Sequence, residues 1–193
     1  MRQPEARIPL LGEDDARQLG KDHGVPSSMA PLNVFRAMLN HPVMAASVGS
    51  LLANLLYKAN KLDGSLRELI IMRIGWRTGA VYEWTQHWRV CMNMNIDPDL
   101  VLAVRDWRNA SALTEAQMAV LAATDETLEQ GRISDATWAE CCRHLATQEE
   151  RIEMVLAISN WRTFSELLQS LRIPLEDGVE AWPPDGKKPP AAG

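Results

Sequence analysis

The feature that most constrains the fold is an apolar segment from Ser65 to Thr78, with the sequence SLRELIIMRIGWRT. Its apolar residues cover most of the circumference of a helix, which predicts a helix buried on nearly all sides. Gly79 follows at the position where a glycine commonly ends a helix. The run VYEWTQHWRVCMNM, from Val81 to about Met94, then predicts a second helix. We therefore expect the first helix to lie near the centre of the fold.

The rest of the chain also predicts helices, and no segment alternates with the period of a strand. Three of the predicted helices begin after a residue that can cap them. Two of these starts have the pattern of a capping box, Thr114-x-x-Gln117 and Thr147-x-x-Glu150. Helices are predicted over residues 13–19, 33–39, 42–58, 99–107, 114–131, 135–145 (capped by Ser134) and 147–171. The fold class predicted is all-α, a compact helical domain.

Proline and glycine positions predict the domain organisation. Residues 1–31 contain repeated prolines and glycines and are interpreted as an N-terminal arm, and residues 32–175 as the helical domain. The helical pattern is lost after Pro174, and Gly178–Gly193 holds four prolines. Residues 176–193 are therefore predicted to form a flexible Pro-rich tail.

Composition excludes several classes of protein. Of 193 residues, 46% are hydrophobic and 23% charged, and the net charge is −5, which is typical of a globular protein and argues against a nucleic-acid binder. No apolar run is long enough to span a membrane, and the first residues lack the features of a signal peptide, so a cytoplasmic location is expected. The three cysteines are interpreted as reduced thiols.

The second central helix carries the candidate chemistry. Glu83, His87 and Cys91 are spaced i, i+4, i+8 and share one helix face, so Glu83 and His87 are a candidate general acid/base pair. Structural alternatives stay open: Glu83 in the first turn favours the helix dipole, His87 is compatible with a satisfied core histidine, and Cys91 with packing. One histidine and one glutamate leave a metal site short of ligands, so no metal or cofactor is predicted.

Two further features adjoin this face. Trp84 and Trp88 lie one residue further round the helix and form an aromatic flank. On the preceding helix, Glu68 lies among apolar residues and has two interpretations: a capping box with Ser65, or a buried carboxylate that reaches the start of the next helix. Periodicity does not choose between them.

The segment from Leu62 to Val104 contains the run R-E-L-I-I-M-R-I-G-W-R-T-G-A-V-Y-E-W-T-Q-H and then I-D-P-D-L. This pattern resembles the core of the carboxymuconolactone decarboxylase and alkyl hydroperoxidase superfamily, whose members typically read R-E-L, an aliphatic run, then T-G-x-x-Y-E-W-x-x-H. In the redox branch, the alkyl hydroperoxidases, a Glu is followed by a Cys-x-x-Cys and then a His four residues later. The resemblance assigns this Glu to Glu68 and this His to His87, and implies that the two lie within hydrogen-bond reach or are joined through one water across the Gly79 turn.

The cysteine positions of the redox branch fall on Ala80 and Glu83, so both thiols are absent. Peroxide reduction needs a thiolate and a resolving thiol. The resemblance therefore implies the non-redox side of the superfamily, similar to the decarboxylase, which acts on a lactone carboxylate without metal or organic cofactor.

The function implied is a cofactor-independent acid/base enzyme acting on a small organic acid or lactone, by decarboxylation, lactone opening, isomerisation or elimination. The candidate catalytic residues are His87, Glu83 and Glu68, the candidate substrate-binding residues are Tyr82, Trp84, Trp88 and Cys91, and backbone N–H groups near residues 80–82 are a candidate cradle for negative charge.

Two alternatives remain: a peroxidase-like oxidoreductase that uses Cys91, and a non-catalytic binding protein on the same scaffold. The expected partners are a small-molecule substrate and further copies of the chain, with no nucleic acid and no membrane. The resemblance implies a dimer, trimer or hexamer, with a pocket partly closed by a neighbouring subunit.

Overall fold

The computed structural model of the chain describes residues 5–58 and 60–190. Within these ranges it contains nine α-helices, one 3₁₀ helix and no strand, which confirms the all-α class. The helices are α1 (Glu13–His23), α2 (Asn33–Met38), α3 (Pro42–Leu56), α4 (Gly64–Thr78), α5 (Val81–Asn93), α6 (Pro98–Ala103), the 3₁₀ helix (Val104–Asn109), α7 (Glu115–Gln130), α8 (Asp135–His144) and α9 (Gln148–Leu171). The outermost residues of the predicted arm and tail lie outside the described residues.

The described residues form two compact units. The first is drawn from residues 1–60 and 167–179, and in it α1 and α2 pack on α3. The second is drawn from residues 61–166 and 180–193. Every candidate site residue named above belongs to the second unit. The predicted boundaries of the arm, the domain and the tail stay predictions.

Helix α4 is the centre of the second unit, as its sequence predicts. Every residue from Arg67 to Gly75 is buried, and α4 packs against α5, α7 and the 3₁₀ helix. A Cβ atom on Gly75 would lie 3.1 Å from the backbone nitrogen of Trp84, so glycine is what permits α4 and α5 to approach this closely. Gly79 ends α4 in the left-handed conformation, with φ of 71°.

The start of α4 decides between the two interpretations of Glu68. Asp63 is the N-cap, and its carboxylate accepts hydrogen bonds from the backbone N–H groups of Ser65 and Leu66, at 2.9 and 3.2 Å. The capping box of Ser65 with Glu68 was therefore the wrong interpretation. Because Asp63 satisfies the helix start, the Glu68 carboxylate is left for a partner in the interior.

Most of the other predicted helices form, with two corrected ends. Both capping boxes and the Ser134 cap are present. Helix α1 extends beyond the predicted end to His23, where Gly24 ends it. The helix predicted over 99–107 was wrong in its second half: α6 ends at Ala103, and Asp106 leaves helical geometry with φ of −142°.

A buried ion pair explains why that helix changes at Val104. Arg73 of α4 donates to the backbone carbonyls of Val104 and Arg105, at 2.7 and 3.1 Å. It also forms a two-point contact with the fully buried Asp125 carboxylate of α7, at 2.7 and 2.8 Å. Burial raises the pKa of Asp125, but the hydrogen bonds and positive charge of Arg73, with smaller contributions from the Trp107 indole and from Arg108, outweigh burial and hold it below 3.8. This ion pair joins α4, α7 and the 3₁₀ helix.

Trp182 corrects the interpretation of the segment after Pro174. The loss of helical pattern predicts a flexible tail here, whereas the Trp182 side chain is 5% exposed and belongs to the main apolar cluster of the second unit. Its backbone N–H donates to Thr85 Oγ1 at 3.3 Å, and the next carbonyl, of Pro183, accepts from the Trp84 indole at 2.8 Å. The prolines on either side of Trp182 interrupt any periodic pattern, so the sequence does not indicate that this residue is buried. Burial of a large aromatic side chain is nevertheless favourable.

No helix among the described residues is both long and apolar enough to cross a membrane.

Candidate functional site

Two helices bring Glu68 and His87 together. The Gly79 turn folds α5 back on α4, and His87 Nδ1 lies 2.7 Å from Glu68 Oε2, which confirms the expected contact. Glu68 has no exposed surface, and the His87 side chain is 14% exposed. The other Glu68 oxygen accepts from Arg67 Nε at 3.3 Å, so both oxygens of the buried carboxylate have a partner.

The second ring nitrogen of His87 also has a partner. The indole Nε1–H of Trp161, on α9, donates to His87 Nε2 at 3.0 Å. The two rings meet edge to face, with centroids 5.6 Å apart and planes at 84°. His87 is therefore held from two sides, by a carboxylate of α4 and an indole of α9.

Helix α9 makes a second contact with α5 one turn away. Ser165 Oγ lies 2.8 Å from Glu83 Oε2. Trp161 and Ser165 are four residues apart, as are Glu83 and His87, and the partners pair in opposite order. The two helices therefore run antiparallel here, with one face of each in contact.

Glu83 does not orient the His87 ring, which corrects the proposed pair. Its Oε2 bonds to Ser165, and its Oε1 is buried without a hydrogen-bond partner. Burial raises the pKa of Glu83 well above 4.5, against a smaller lowering by the Ser165 hydroxyl. Spacing placed Glu83 and His87 on one face, but side-chain direction separates them: Glu83 bonds to α9, and His87 bonds to both α4 and α9.

Cys91 lies on the same helix face but is fully buried in the apolar cluster. Burial, together with the negative charge of Glu68, raises the pKa of the Cys91 thiol to about 12. At neutral pH the thiol is therefore protonated, and a protonated thiol is a poor nucleophile.

The candidate substrate-binding tryptophans are part of an aromatic cluster. Trp84 and Trp88 stack with centroids 6.4 Å apart, and Trp76 and Trp182 both pack on Trp84. The Arg105 guanidinium lies over Trp76 and Trp84, at 4.7 and 4.9 Å from the ring centroids. Trp84 has no exposed surface, and Trp88 and Tyr82 are 8% and 5% exposed, so their contact with a substrate stays a prediction.

A pocket of about 330 Å³ opens at the turn between α4 and α5. It is lined by Arg77, Thr78, Gly79, Val81, Trp182, Lys188, Pro189 and Pro190. His87 does not line this pocket, because it lies six residues after Val81, about 9 Å along the helix axis. The role of the backbone N–H groups near residues 80–82 in binding negative charge stays a prediction.

Sequence reasoning missed Trp161 and Ser165. Their partners His87 and Glu83 are 74 and 82 residues away in sequence. The one available signal was their i, i+4 spacing on α9, which matches the spacing of Glu83 and His87. Among the described residues, no group of three or more histidine, cysteine or acidic side chains is arranged to hold a metal ion.

In chemical terms, the site is an imidazole with a buried carboxylate on one nitrogen and an indole N–H on the other. A carboxylate that accepts from Nδ1 stabilises the imidazolium that forms when Nε2 takes a proton. The arrangement is therefore suited to proton transfer at Nε2.

Comparison with known proteins finds a family model that is similar to part of the chain. The model of the Carboxymuconolactone decarboxylase family matches residues 42–126, a range that contains Glu68 and His87. A search of curated protein sequences finds no match to the chain.

Three solved structures share the fold over nearly the whole chain. An uncharacterized peroxidase-related protein from Silicibacter sp. TM1040 is 14% identical, with a TM-score of 0.76 over 93% of this chain and 97% of that one. The alkylhydroperoxidase AhpD core protein from Ralstonia eutropha JMP134 is 16% identical, with a TM-score of 0.75 over 92% and 96%.

The third is a variant of the debrominase Bmp8 in complex with 2,3,4-tribromopyrrole, 18% identical, with a TM-score of 0.74 over 91% and 95%. At these identities the likeness shows a common fold. The family model covers residues 42–126, so this part of the chain is similar to the Carboxymuconolactone decarboxylase family, and nearly the whole chain shares the fold of these solved structures.

Proposed function

We propose that this chain is a cofactor-independent enzyme that moves protons to and from a small organic acid or lactone. The observation that carries the proposal is the contact of 2.7 Å between the fully buried Glu68 carboxylate and His87 Nδ1. His87 is the proton-transfer group, and Glu68 stabilises its charged form. The reactions in keeping with this chemistry are decarboxylation, lactone opening, isomerisation and elimination.

The surroundings of the pair favour this role over that of a packed core histidine alone. Part of the His87 side chain is exposed, whereas Glu68 is enclosed. A buried carboxylate is costly unless it is paired, so the Glu68 carboxylate depends on its contacts with His87 and Arg67. The partner at Nε2 is an uncharged indole, which a substrate group can replace without stranding a charge.

Glu83 has a different part in this proposal from the one that its spacing suggested. Because Glu68 already orients the ring, Glu83 is not needed for that purpose. Burial raises its pKa well above 4.5, which favours the protonated form, and Ser165 Oγ lies 2.8 Å from its Oε2. Tyr82, Trp84, Trp88 and Cys91 are proposed to form the apolar wall nearest the reacting group.

A thiol peroxidase that uses Cys91 is the less favoured alternative. The thiol is enclosed in the apolar cluster, and its pKa of about 12 leaves little thiolate at neutral pH. Cys91→Ala should therefore keep turnover within about tenfold of wild type, since acid/base groups contribute about 10²–10⁴-fold. Loss of turnover in this variant, with a Cys91 sulfenate trapped under peroxide, would support the oxidoreductase instead.

We also propose that the enzyme is a homo-oligomer whose pocket is partly closed by a neighbouring subunit. Apolar side chains are exposed in both units, for example Val43 and Met44 of α3, and Ile152 and Leu156 of α9. Light scattering should give at least twice the chain mass of 21.6 kDa, and a value near 21.6 kDa would contradict this.

The test of function is a screen for proton transfer in D2O. Small organic acids and lactones are incubated with the wild-type protein, and proton NMR follows exchange of C–H signals and the appearance of products. We expect one or more compounds to exchange or turn over, and the rate to fall about 10²–10⁴-fold in His87→Gln and by a comparable factor in Glu68→Gln.

The matched control is Trp138→Phe, since Trp138 is an exposed residue of α8 with no bond to either member of the pair. This variant should retain the wild-type rate. Compounds that bind without exchange or turnover would support the non-catalytic alternative. Turnover that persists unchanged in His87→Gln would overturn the proposal.

A further inference from the structure

We infer that Trp161 is a positioning residue that fixes which nitrogen of His87 is basic. The contact on which this rests is the hydrogen bond of 3.0 Å from the Trp161 indole Nε1–H to His87 Nε2. Trp161 is 2% exposed and lies within the long helix α9, so its indole N–H needs a partner in the interior.

The chemistry of the two rings determines the direction of this bond. An indole nitrogen always carries its hydrogen and has no lone pair to offer, so Trp161 is a donor only. His87 Nε2 must then be the acceptor, which means that it is unprotonated in the resting protein. In a neutral imidazole the hydrogen therefore resides on Nδ1.

The contact on the other side of the ring agrees with this assignment. His87 Nδ1 lies 2.7 Å from Glu68 Oε2, and a carboxylate accepts hydrogen bonds. Each partner alone favours the same tautomer, with the hydrogen on Nδ1 and the lone pair on Nε2. The edge-to-face arrangement of the rings, with planes at 84°, directs the indole N–H at that lone pair.

This inference deepens the proposed function and rests on it for its catalytic meaning. The proton-accepting atom is Nε2, on the α9 side of the ring, and the substrate must present its acidic C–H or O–H where the Trp161 N–H lies in the resting protein. That proton passes to Nε2, the bonding electron pair stays on the substrate as an enolate, carbanion or alkoxide, and Nε2 returns the proton in the second half of the reaction.

The substrate class follows from this geometry. It is a small organic acid or lactone with an acidic hydrogen next to a carbonyl, or with a hydroxyl, narrow enough to displace one indole N–H from the ring. A molecule without such a donor cannot form a hydrogen bond to Nε2 in place of the one from Trp161. Nε2 then stays hydrogen-bonded to the indole.

The experiment is nitrogen-15 NMR of the histidine rings without substrate, at mildly alkaline pH, where an ordinary histidine is neutral. The His87 signals are identified by their absence from His87→Gln, since the chain has four histidines. We expect the wild-type protein to show a protonated Nδ1, an unprotonated Nε2, and a scalar coupling across the hydrogen bond between Trp161 Nε1 and His87 Nε2. A protonated Nε2 in the wild type would overturn the inference.

Variants separate the effect of Trp161 on the His87 tautomer from the effect of Glu68. Glu68→Gln replaces the carboxylate by an amide that both donates and accepts, so it expresses no tautomer preference. We expect Glu68→Gln to keep the hydrogen on Nδ1, because Trp161 still occupies Nε2, and the double variant Glu68→Gln with Trp161→Phe to populate both tautomers. Trp138→Phe should leave the His87 signals unchanged.

The two possible failures are distinguishable. If Glu68→Gln alone mixes the tautomers, Trp161 does not fix the ring, whatever the protein catalyses. If the tautomers behave as expected but no compound turns over, the positioning role stands and the proposed function fails. Should Glu68→Gln not fold, Glu68→Ala replaces it in the same comparison, because alanine also removes the tautomer preference of the carboxylate.

Discussion

Ser165 of α9 and Glu83 of α5 form a hydrogen bond of 2.8 Å that leaves the second oxygen of the buried Glu83 carboxyl without a partner. A carboxyl in this position is costly to ionise, which is why burial raises its pKa well above 4.5. The protein therefore carries a buried carboxyl with a raised pKa one turn before its candidate catalytic histidine.

The first prediction is that Glu83 makes the wild-type protein less stable as pH rises. A raised pKa means that the folded state holds a proton which the unfolded chain loses above about pH 4.5, so the free energy of unfolding falls from there up to the folded pKa. Glu83→Gln cannot ionise, and urea unfolding over this range should therefore show its stability improving relative to wild type.

The turnover of Glu83→Gln shows whether Glu83 transfers a proton itself. With Glu68 orienting the ring, Glu83→Gln should keep turnover within about tenfold of wild type, below the 10²–10⁴-fold typical of an acid/base group. Ser165→Ala is the comparison for stability and should lose about 1–3 kcal/mol, because it leaves an oxygen of the buried Glu83 carboxyl without this partner. A stability difference between Glu83→Gln and wild type that is independent of pH would contradict the raised pKa.

A second carboxylate, Asp125, should show the opposite pH dependence. Arg73 and its neighbours hold the pKa of Asp125 below 3.8, so its contribution to stability is complete above that pH and is lost as pH falls through the folded pKa. Asp125→Asn should lower the free energy of unfolding by about 3–5 kcal/mol at neutral pH, because it strands the buried Arg73 charge.

The measurement is urea unfolding of wild type and Asp125→Asn at neutral pH and below pH 3.8. The gap between the two proteins should narrow as pH falls from 3.8 to the folded pKa, because the unfolded wild-type chain then takes up a proton that the folded ion pair excludes. An equal gap at both pH values would mean that the ion pair does not set the pKa of Asp125.

The third prediction concerns the segment around Trp182. Trp182→Ala should lower the free energy of unfolding by about 3–5 kcal/mol, the usual range for a large aromatic side chain removed from a core. Trp182 is 5% exposed, and the control Trp138→Ala removes a tryptophan that is 39% exposed and should cost far less. Equal melting temperatures for Trp182→Ala and wild type would contradict the packing of this segment.

The parts of this molecule that could be predicted from sequence are those with local causes. The apolar run of α4, its end at Gly79 and the Thr114 cap each depend on residues within a few positions of one another. The contact between Glu68 and His87 was also expected, but from a family resemblance rather than from periodicity.

The parts that could not be predicted depend on contacts distant in sequence. Trp161 and Ser165 are found only when α9 is packed against α5, and neither has a local pattern that names its partner. Glu83 was misassigned for the same reason: spacing fixes the face of a helix, whereas the neighbouring helix decides which atoms bond. Trp182, among prolines, had no periodic pattern at all.

The most direct test of the central claim is the steady-state turnover of His87→Gln on a compound found in the D2O screen, with thermal melts of the same preparations. Glutamine has a similar volume and retains hydrogen bonding, but it does not carry a proton near neutral pH. We expect a loss of about 10²–10⁴-fold in turnover at a nearly unchanged melting temperature. A His87→Gln protein with an unchanged melting temperature and a near wild-type rate would contradict it.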